Sequence, residues 1–380
     1  MTPRQRIVSA MQLKKPDRVP LMCQFGWGFM NQQLKDSGFS PMALWLDAET
    51  YARALLTLRD RFRFDGILVS VHGHYENWFQ NILNLEIRSG IEVARFKDHT
   101  QTFVDDDLPV GTYPDKEIKN IEDLDPDSIP EDLDYIPTSK DCYIYIDRSN
   151  PYTVFDYLDK EVKGRFSIHG EVTSPLDYLL DLLGYENALT AMVLHEEKVQ
   201  QILKRFTGAV IKMAQGLAAN TPVDAIKISS PFAGMGFISP EFYRTFEAPY
   251  LTAIAKAIKK TGQISYVHTC GHIEDRLEVM AGTGVHGLEC LDPPPIGNVE
   301  LKDAFNRIGH MTFIKGNIDS VNILLKGDPE LITQDVTNRI QIGMEFPGFI
   351  LSTACSIAPG VPAEKVLLLH ELVEKNGYYQ

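Results

Sequence analysis

No run of about 18 apolar residues occurs anywhere in the sequence, so no segment has the length a bilayer-spanning helix requires. The opening MTPRQRIVSAMQLKKPDRVPL has charges scattered through it and no sustained apolar stretch, so it does not read as a secretory signal. The expectation is a soluble, unexported, cytoplasmic protein with no membrane partner. Basic clusters are missing too, and the formal charge is -14. Nucleic-acid binding is driven by Lys and Arg releasing counterions from phosphates, so no nucleic-acid partner is expected. Cysteines are few and odd in number: Cys23, Cys142, Cys270, Cys290 and Cys355. In a long chain that count suits reduced thiols or metal ligands better than a disulfide framework. Internal repeats and low-complexity tracts are not visible.

What the sequence does hold is a regular succession of short β-rich runs. VPLMCQ (19–24), GILVSV (66–71), FSIHGEV (166–172), DAIKISS (224–230), ISYVHTC (264–270), GLEC (287–290), MTFIKGN (311–317) and FILSTAC (349–355) read as strands. Most gaps carry apolar residues at three- and four-residue spacing, as in the segments 175–220, 240–262 and 329–344. Strand followed by helix, eight times, predicts a (β/α)8 TIM barrel, an α/β fold in a single domain over 1–380. The second and third runs are separated by an insertion, 72–165. There LEIRSGIEVARF and TQTFVDD suggest a hairpin, and the acidic stretch from Glu122 to Asp134 a solvated loop without an EF-hand pattern.

In such a barrel the C-terminal strand ends face the active site, so polar residues there carry the chemistry. His268 and Cys270 end the fifth run two residues apart, which in an extended chain puts both side chains on one side. Cys355 ends the eighth run, and closure of a barrel brings that end back to the mouth. Zinc takes imidazole and thiolate ligands at about 2.0–2.3 Å, and a catalytic site keeps one position open. The bland alternative is two small buried cysteines beside a chance histidine.

The stretch from VDAIKISSPFAGMGF through ISYVHTCGHIEDRLEVMAGTGVHGLECLDPPP, then GNIDS and FILSTACSIAPGVPAEKVLLLHELVEKNG, resembles the uroporphyrinogen decarboxylase-like superfamily. The opening RQRIVSAMQLKKPDRVPL is similar to that superfamily's usual start. The H-x-C plus distant C arrangement is similar to that of its zinc methyltransferases that react with corrinoid proteins, among them coenzyme M methyltransferases and O-demethylase components. The resemblance implies that His268, Cys270 and Cys355 are zinc ligands and that a corrinoid arrives on a partner protein. The cobalamin-binding pattern D-x-H-x-x-G is absent from this sequence. The decarboxylase's arginine-bearing motif after the first strand is replaced by CQFGWGFMNQQ, which removes an anion clamp.

Glu289, ending the sixth run, either supplies a fourth zinc oxygen, binds substrate, or forms a structural ion pair, while its neighbour Cys290 should point the other way. Phe25, Trp27 and Phe29 either form an apolar mouth for an uncharged or aromatic substrate or pack beneath the insertion. His72, His74, His169, Glu171, Lys227, Ser229 and Asn317 also fall at strand ends and are candidates for substrate contact. His272 and Asp275 fit better at the start of the next helix, where Asp275 complements the macrodipole. The resemblance implies methyl transfer between a small substrate and the cobalt(I) corrinoid of a separate protein, and the aromatic residues after the first run favour an aromatic methyl ether as donor. Three other readings remain: methyl transfer in the reverse sense to a thiol, a metal-free decarboxylase-like enzyme, and an idle scaffold.

Overall fold

Seven of the eight β-rich runs become strands of one parallel sheet in the computed structural model, which describes residues 1–114, 119–138 and 143–380. They are β1 (Gly66–Val69), β2 (Ser167–Thr173), β3 (Ala225–Ser229), β4 (Ile264–Thr269), β5 (Gly287–Cys290), β6 (Phe313–Ile318) and β7 (Phe349–Thr353). Their order in the sheet is their order in the chain, the result of repeated crossovers through helices. Almost every strand residue is buried, as expected of a parallel sheet covered on both faces. This is an α/β fold consistent with a TIM-like barrel. Among the described residues no helix is long and apolar enough to cross a membrane.

The first run, 19–24, is extended but is not a regular strand. The Leu351 N–H of β7 donates to the Pro20 carbonyl at 2.9 Å, and Met22 N–H returns a bond to the Leu351 carbonyl at 3.0 Å. On its other side the Leu21 carbonyl accepts from Asp65 N–H, just before β1, at 2.8 Å. The segment thus occupies the place between β7 and β1. Its ladder stays incomplete for two reasons: Pro20 has no N–H, and the Leu21 N–H is taken by the Asp65 carboxylate at 2.8 Å.

That carboxylate is 1% exposed and also accepts from Arg6 Nη1 at 2.7 Å and Arg18 Nη1 at 2.9 Å. Arg6 comes from the first helix, Pro3–Met11, whose N-terminus is closed by a capping box between Thr2 and Gln5. One buried anion therefore fastens helix, extended segment and β1 together.

The predicted helical stretches hold, with breaks where the backbone leaves helical angles. The segment 175–220 divides into Pro175–Leu183, Tyr185–Leu194 and Glu196–Asn220, broken at Gly184, whose φ of 74° suits glycine. The segment 240–262 divides at Glu247 into Pro240–Phe246 and Ala248–Lys260.

Between β1 and β2 lie a four-stranded antiparallel sheet (Asn84–Arg88, Ile91–Arg95, Thr100–Phe103, Val110–Thr112), a short ribbon (Tyr135–Ile136 with Ile144–Tyr145) and a helix, Thr153–Val162. The first hairpin turns at Ser89 and Gly90, with φ of 53° and 84°, the paired left-handed conformations of a tight two-residue turn. The acidic stretch is less free than its composition suggests. Ile121, Leu124, Ile129 and Leu133 are buried, and Lys212 of the helix Glu196–Asn220 reaches Glu131 at 3.1 Å and Asp132 at 3.3 Å. Cys142 lies outside the described residues.

Asp65→Ala removes the buried anion that Arg6 and Arg18 share, leaving them only the more exposed Asp17 and Glu374, and the expected loss of stability is about 3 kcal/mol, read from the midpoint of urea unfolding. An unchanged midpoint would show that the arginines find other partners.

Candidate metal centre and cavity

Strand register builds the site. Ser229 of β3 stands opposite His268 of β4, His268 opposite Glu289 of β5, and Glu289 opposite Lys315 of β6. One row of polar side chains thus crosses four strands near their C-terminal ends. His268, Glu289 and Lys315 are 4%, 2% and 0% exposed, so their charges are settled among themselves rather than by water.

Glu289 is the hub. Its Oε2 accepts from His268 Nδ1 at 2.9 Å, its Oε1 is ion-paired with Lys315, and Lys227 Nζ lies 3.5 Å from Oε2. Burial pushes the Glu289 carboxyl up, but Lys315 and Lys227 outweigh it and hold the group well below the usual carboxylate range. An ionised carboxylate can only accept, so Nδ1 of His268 carries the hydrogen and Nε2 points at the sulfurs. Lys227 in turn lies 2.7 Å from Gln24 Oε1 and 3.3 Å from Glu171 Oε1.

His268 Nε2 lies 3.2 Å from Cys270 Sγ, and Cys270 Sγ lies 4.0 Å from Cys355 Sγ. A tetrahedral zinc ion with bonds of about 2.0–2.3 Å holds its donors roughly 3.5–3.8 Å apart. Both separations lie within a few tenths of an ångström of that spacing. Cys270 is the sulfur that favours thiolate, because its contacts with the Cys290 and Cys355 sulfurs outweigh the opposing effect of burial. Burial and Lys227 lower the His268 pKa, but contacts with Cys355 and Glu289 outweigh them and push it up to about 9.

Cys290 departs from expectation. Side chains alternate only while the backbone stays extended, and at the end of β5 Cys290 and Leu291 take φ of 87° and 54°. The thiol is turned so that the donor atoms of His268, Cys270 and Cys290 all lie within 4.8 Å of one another. Its S–H donates to Asp292 Oδ2 at 3.2 Å.

Cys270 opens onto a cavity of about 1090 Å³, walled by Phe25, Trp27, Tyr51, Glu171, Ser229 and Phe232 among others. No Lys, Arg or His stands among the described residues lining it. Phe25 and Trp27 thus face the cavity, while Phe29 is buried and stacked on Phe25 with ring centroids 6.2 Å apart.

Other candidates lie elsewhere. His72 Nδ1 is 3.0 Å from the Pro151 carbonyl, and His74 Nε2 is 3.0 Å from the Trp45 carbonyl. His74 borders a separate cavity of about 430 Å³. Burial lowers the pKa of both and carries His74 to about 4. His169 sits inside the sheet with Nδ1 3.0 Å from the Tyr266 hydroxyl. Asn317 donates to the Leu291 carbonyl at 2.9 Å and meets Arg339. None of these four lines the large cavity, because each turns to a backbone carbonyl or a core partner instead. Asp275 precedes Leu277–Gly282 in a short 3₁₀ turn and pairs with Arg276 at 2.8 Å; the His272 carbonyl accepts from Met235 N–H.

Sequence reasoning missed Lys315, whose signal was a lysine inside an otherwise apolar run, and a buried carboxyl pair on the cavity side. Ser174 Oγ is 3.2 Å from Asp177 Oδ2 and 3.4 Å from Glu247 Oε2, so one hydroxyl hydrogen faces two carboxyls. Burial pushes Glu247 up to about 7, with hydrogen bonds from Ser230 and Ser174 opposing. An unfolded Glu ionises near 4.5, so the native state holds this proton more tightly. The stability it contributes is full below about pH 4.5 and lost as pH rises through about 7. Glu247→Gln removes that titration. The difference in thermal midpoint between variant and wild type is expected to move in the variant's favour between about pH 5 and about pH 8. A gap that does not change with pH would show that Glu247 is ionised throughout.

Over residues 102–376 the sequence matches the uroporphyrinogen decarboxylase (URO-D) family. It is similar to the methylcobamide:CoM methyltransferase MtbA of Methanosarcina mazei, 23% identical over 384 residues and covering 99% of each chain. With the MtbA of Methanosarcina acetivorans it shares 28% identity over 183 residues, 48% of this chain and 51% of that one. It therefore spans about half the length of that relative. A uroporphyrinogen decarboxylase of Xylella fastidiosa is 27% identical over 188 residues, 47% of this chain and 49% of its own. A solved methyltransferase structure from Methanosarcina mazei shares the fold, with a TM-score of 0.73 at 20% identity over 99% of both chains. These relatives bear out the resemblance to corrinoid methyltransferases read from the sequence. A match over most of its length places this chain in the uroporphyrinogen decarboxylase family.

Proposed function

We propose that this protein is a zinc-dependent methyltransferase that moves a methyl group between a small substrate held in the large cavity and the corrinoid of a separate protein. The observation that carries the reading is the convergence of His268 Nε2 and the Cys355 sulfur on Cys270, which lines the cavity. His268, Cys270 and Cys355 would hold zinc, which when bound supplies a Lewis acid for a heteroatom that must leave or attack as an anion. Relatives named methylcobamide:CoM methyltransferase support the corrinoid link.

The chain's own residues prepare that chemistry. Glu289 fixes the tautomer and ring orientation of His268, acting on the ligand from behind. Lys315 and Lys227 keep Glu289 ionised, so the imidazole stays aimed. The aromatic walls exclude water and orient the substrate, which brings the methyl carbon into line with donor and acceptor.

For the substrate we favour an aromatic methyl ether. Phe25, Trp27, Tyr51 and Phe232 offer ring faces, and the described cavity wall carries no cation to clamp a sulfonate or a set of carboxylates. The reverse reading, methylation of a thiol, draws its support from the names of the relatives.

Metal analysis of the purified protein is expected to give about one zinc per chain, lost in both Cys270→Ala and Cys355→Ala. A wild type that neither holds nor takes up zinc would turn the reading to a metal-free decarboxylase-like enzyme. Glu289→Gln is expected to weaken zinc binding by about 10–100-fold in a chelator competition. Unaltered affinity would remove Glu289 from its orienting role. With reduced corrinoid protein supplied, methyl transfer from methoxylated aromatics supports the favoured direction; transfer only to or from thiols supports the reverse.

A further inference from the structure

We propose that Cys290 is a fourth ligand of this centre, so that without substrate the metal is held by one imidazole and three thiolates. The inference rests on the zinc reading above and adds to it a residue outside the H-x-C and distant C pattern.

Distance is the first argument. The donor atoms of Cys290, His268 and Cys270 lie mutually within 4.8 Å, while Cys355 enters through its 4.0 Å approach to Cys270. Cys290 therefore forms a mutually close set with two of the three residues of the sequence pattern. All four donors are soft or borderline and match zinc's preference for sulfur and imidazole.

The second argument is what puts the thiol there. A regular strand carrying Glu289 toward His268 sends the next side chain away. Two consecutive non-glycine residues, Cys290 and Leu291, instead adopt left-handed angles and swing the sulfur back to the cluster. Asp292 then fixes it: Oδ2 accepts the Cys290 S–H at 3.2 Å and the Gly271 N–H at 2.7 Å. One carboxylate thereby ties the loop after Cys290 to the loop after Cys270 and sets the spacing of two sulfurs. Cys290 is fully buried.

The consequence for the reaction is a centre whose fourth position is filled from within. A substrate heteroatom entering from the cavity would compete with Cys290 for that position. A Cys290 thiolate released in this way would need one proton to become the S–H that Asp292 accepts, so substrate binding would be coupled to uptake of one proton.

X-ray absorption on the zinc-loaded wild type counts the sulfurs without any variant: three sulfurs and one nitrogen are expected, and two sulfurs overturn the proposal. In the cobalt(II)-loaded protein, Cys290→Ser is expected to lose about one third of the thiolate-to-metal charge-transfer absorption. It is also expected to release one proton fewer on metal binding. Equal absorption and equal proton release in variant and wild type overturn the proposal as well. Failure of the zinc reading itself looks different, since the wild type then takes up neither metal.

Discussion

Glu289 is a buried anion, and the arrangement of the site follows from how it is compensated. Taking a carboxylate out of water costs several kcal/mol in a real protein even after relaxation. Here Lys315, Lys227 and His268 all turn toward that one group. With Glu289 ionised, the His268 ring is no longer free to turn: Nδ1 donates to the carboxylate, and Nε2 faces Cys270 at 3.2 Å. The electrostatic need of one side chain thereby orients another, and the oriented imidazole defines where a metal can sit. Such a cluster stands or falls together, because removing one partner strands the rest.

The extended segment 19–24 joins the fold to the cavity. Its carbonyls and N–H groups fill the place between β7 and β1, and its end delivers Gln24 to Lys227, with Phe25 and Trp27 beyond it on the cavity wall. The Asp65 cluster that anchors the segment sits where β1 begins, at the opposite end of the strands from His268, Cys270 and Cys355. The buried ion-pair cluster thus lies at one end of the sheet and the candidate metal ligands at the other, the division of labour found in TIM barrels.

Much of the fold was legible because its signals are local. Seven apolar runs became strands, and the helical stretches kept their positions, since burial on both faces of a parallel sheet leaves continuous apolar sequence. The misses were also physical. The first run lacks a regular ladder because Pro20 has no N–H and a side chain takes the next donor. Four of the strand-end candidates, His72, His74, His169 and Asn317, proved to satisfy the backbone or the core, and the position of a polar residue does not say which partner it will find.

The sequence by itself determined the strand set and placed His268 and Cys270 on one side of an extended chain, since both depend on spacings of a few residues. Only the tertiary structure decided that Cys355, 85 residues away, meets Cys270, and that Lys315, 26 residues from Glu289, makes that carboxylate an orienting group. It also decided the place of Cys290, whose left-handed backbone breaks the alternation on which any reading of a strand relies. The division has a single physical cause. Periodicity fixes which way a side chain points within its own strand, whereas charge compensation and metal geometry depend on the register between strands, which no local pattern encodes.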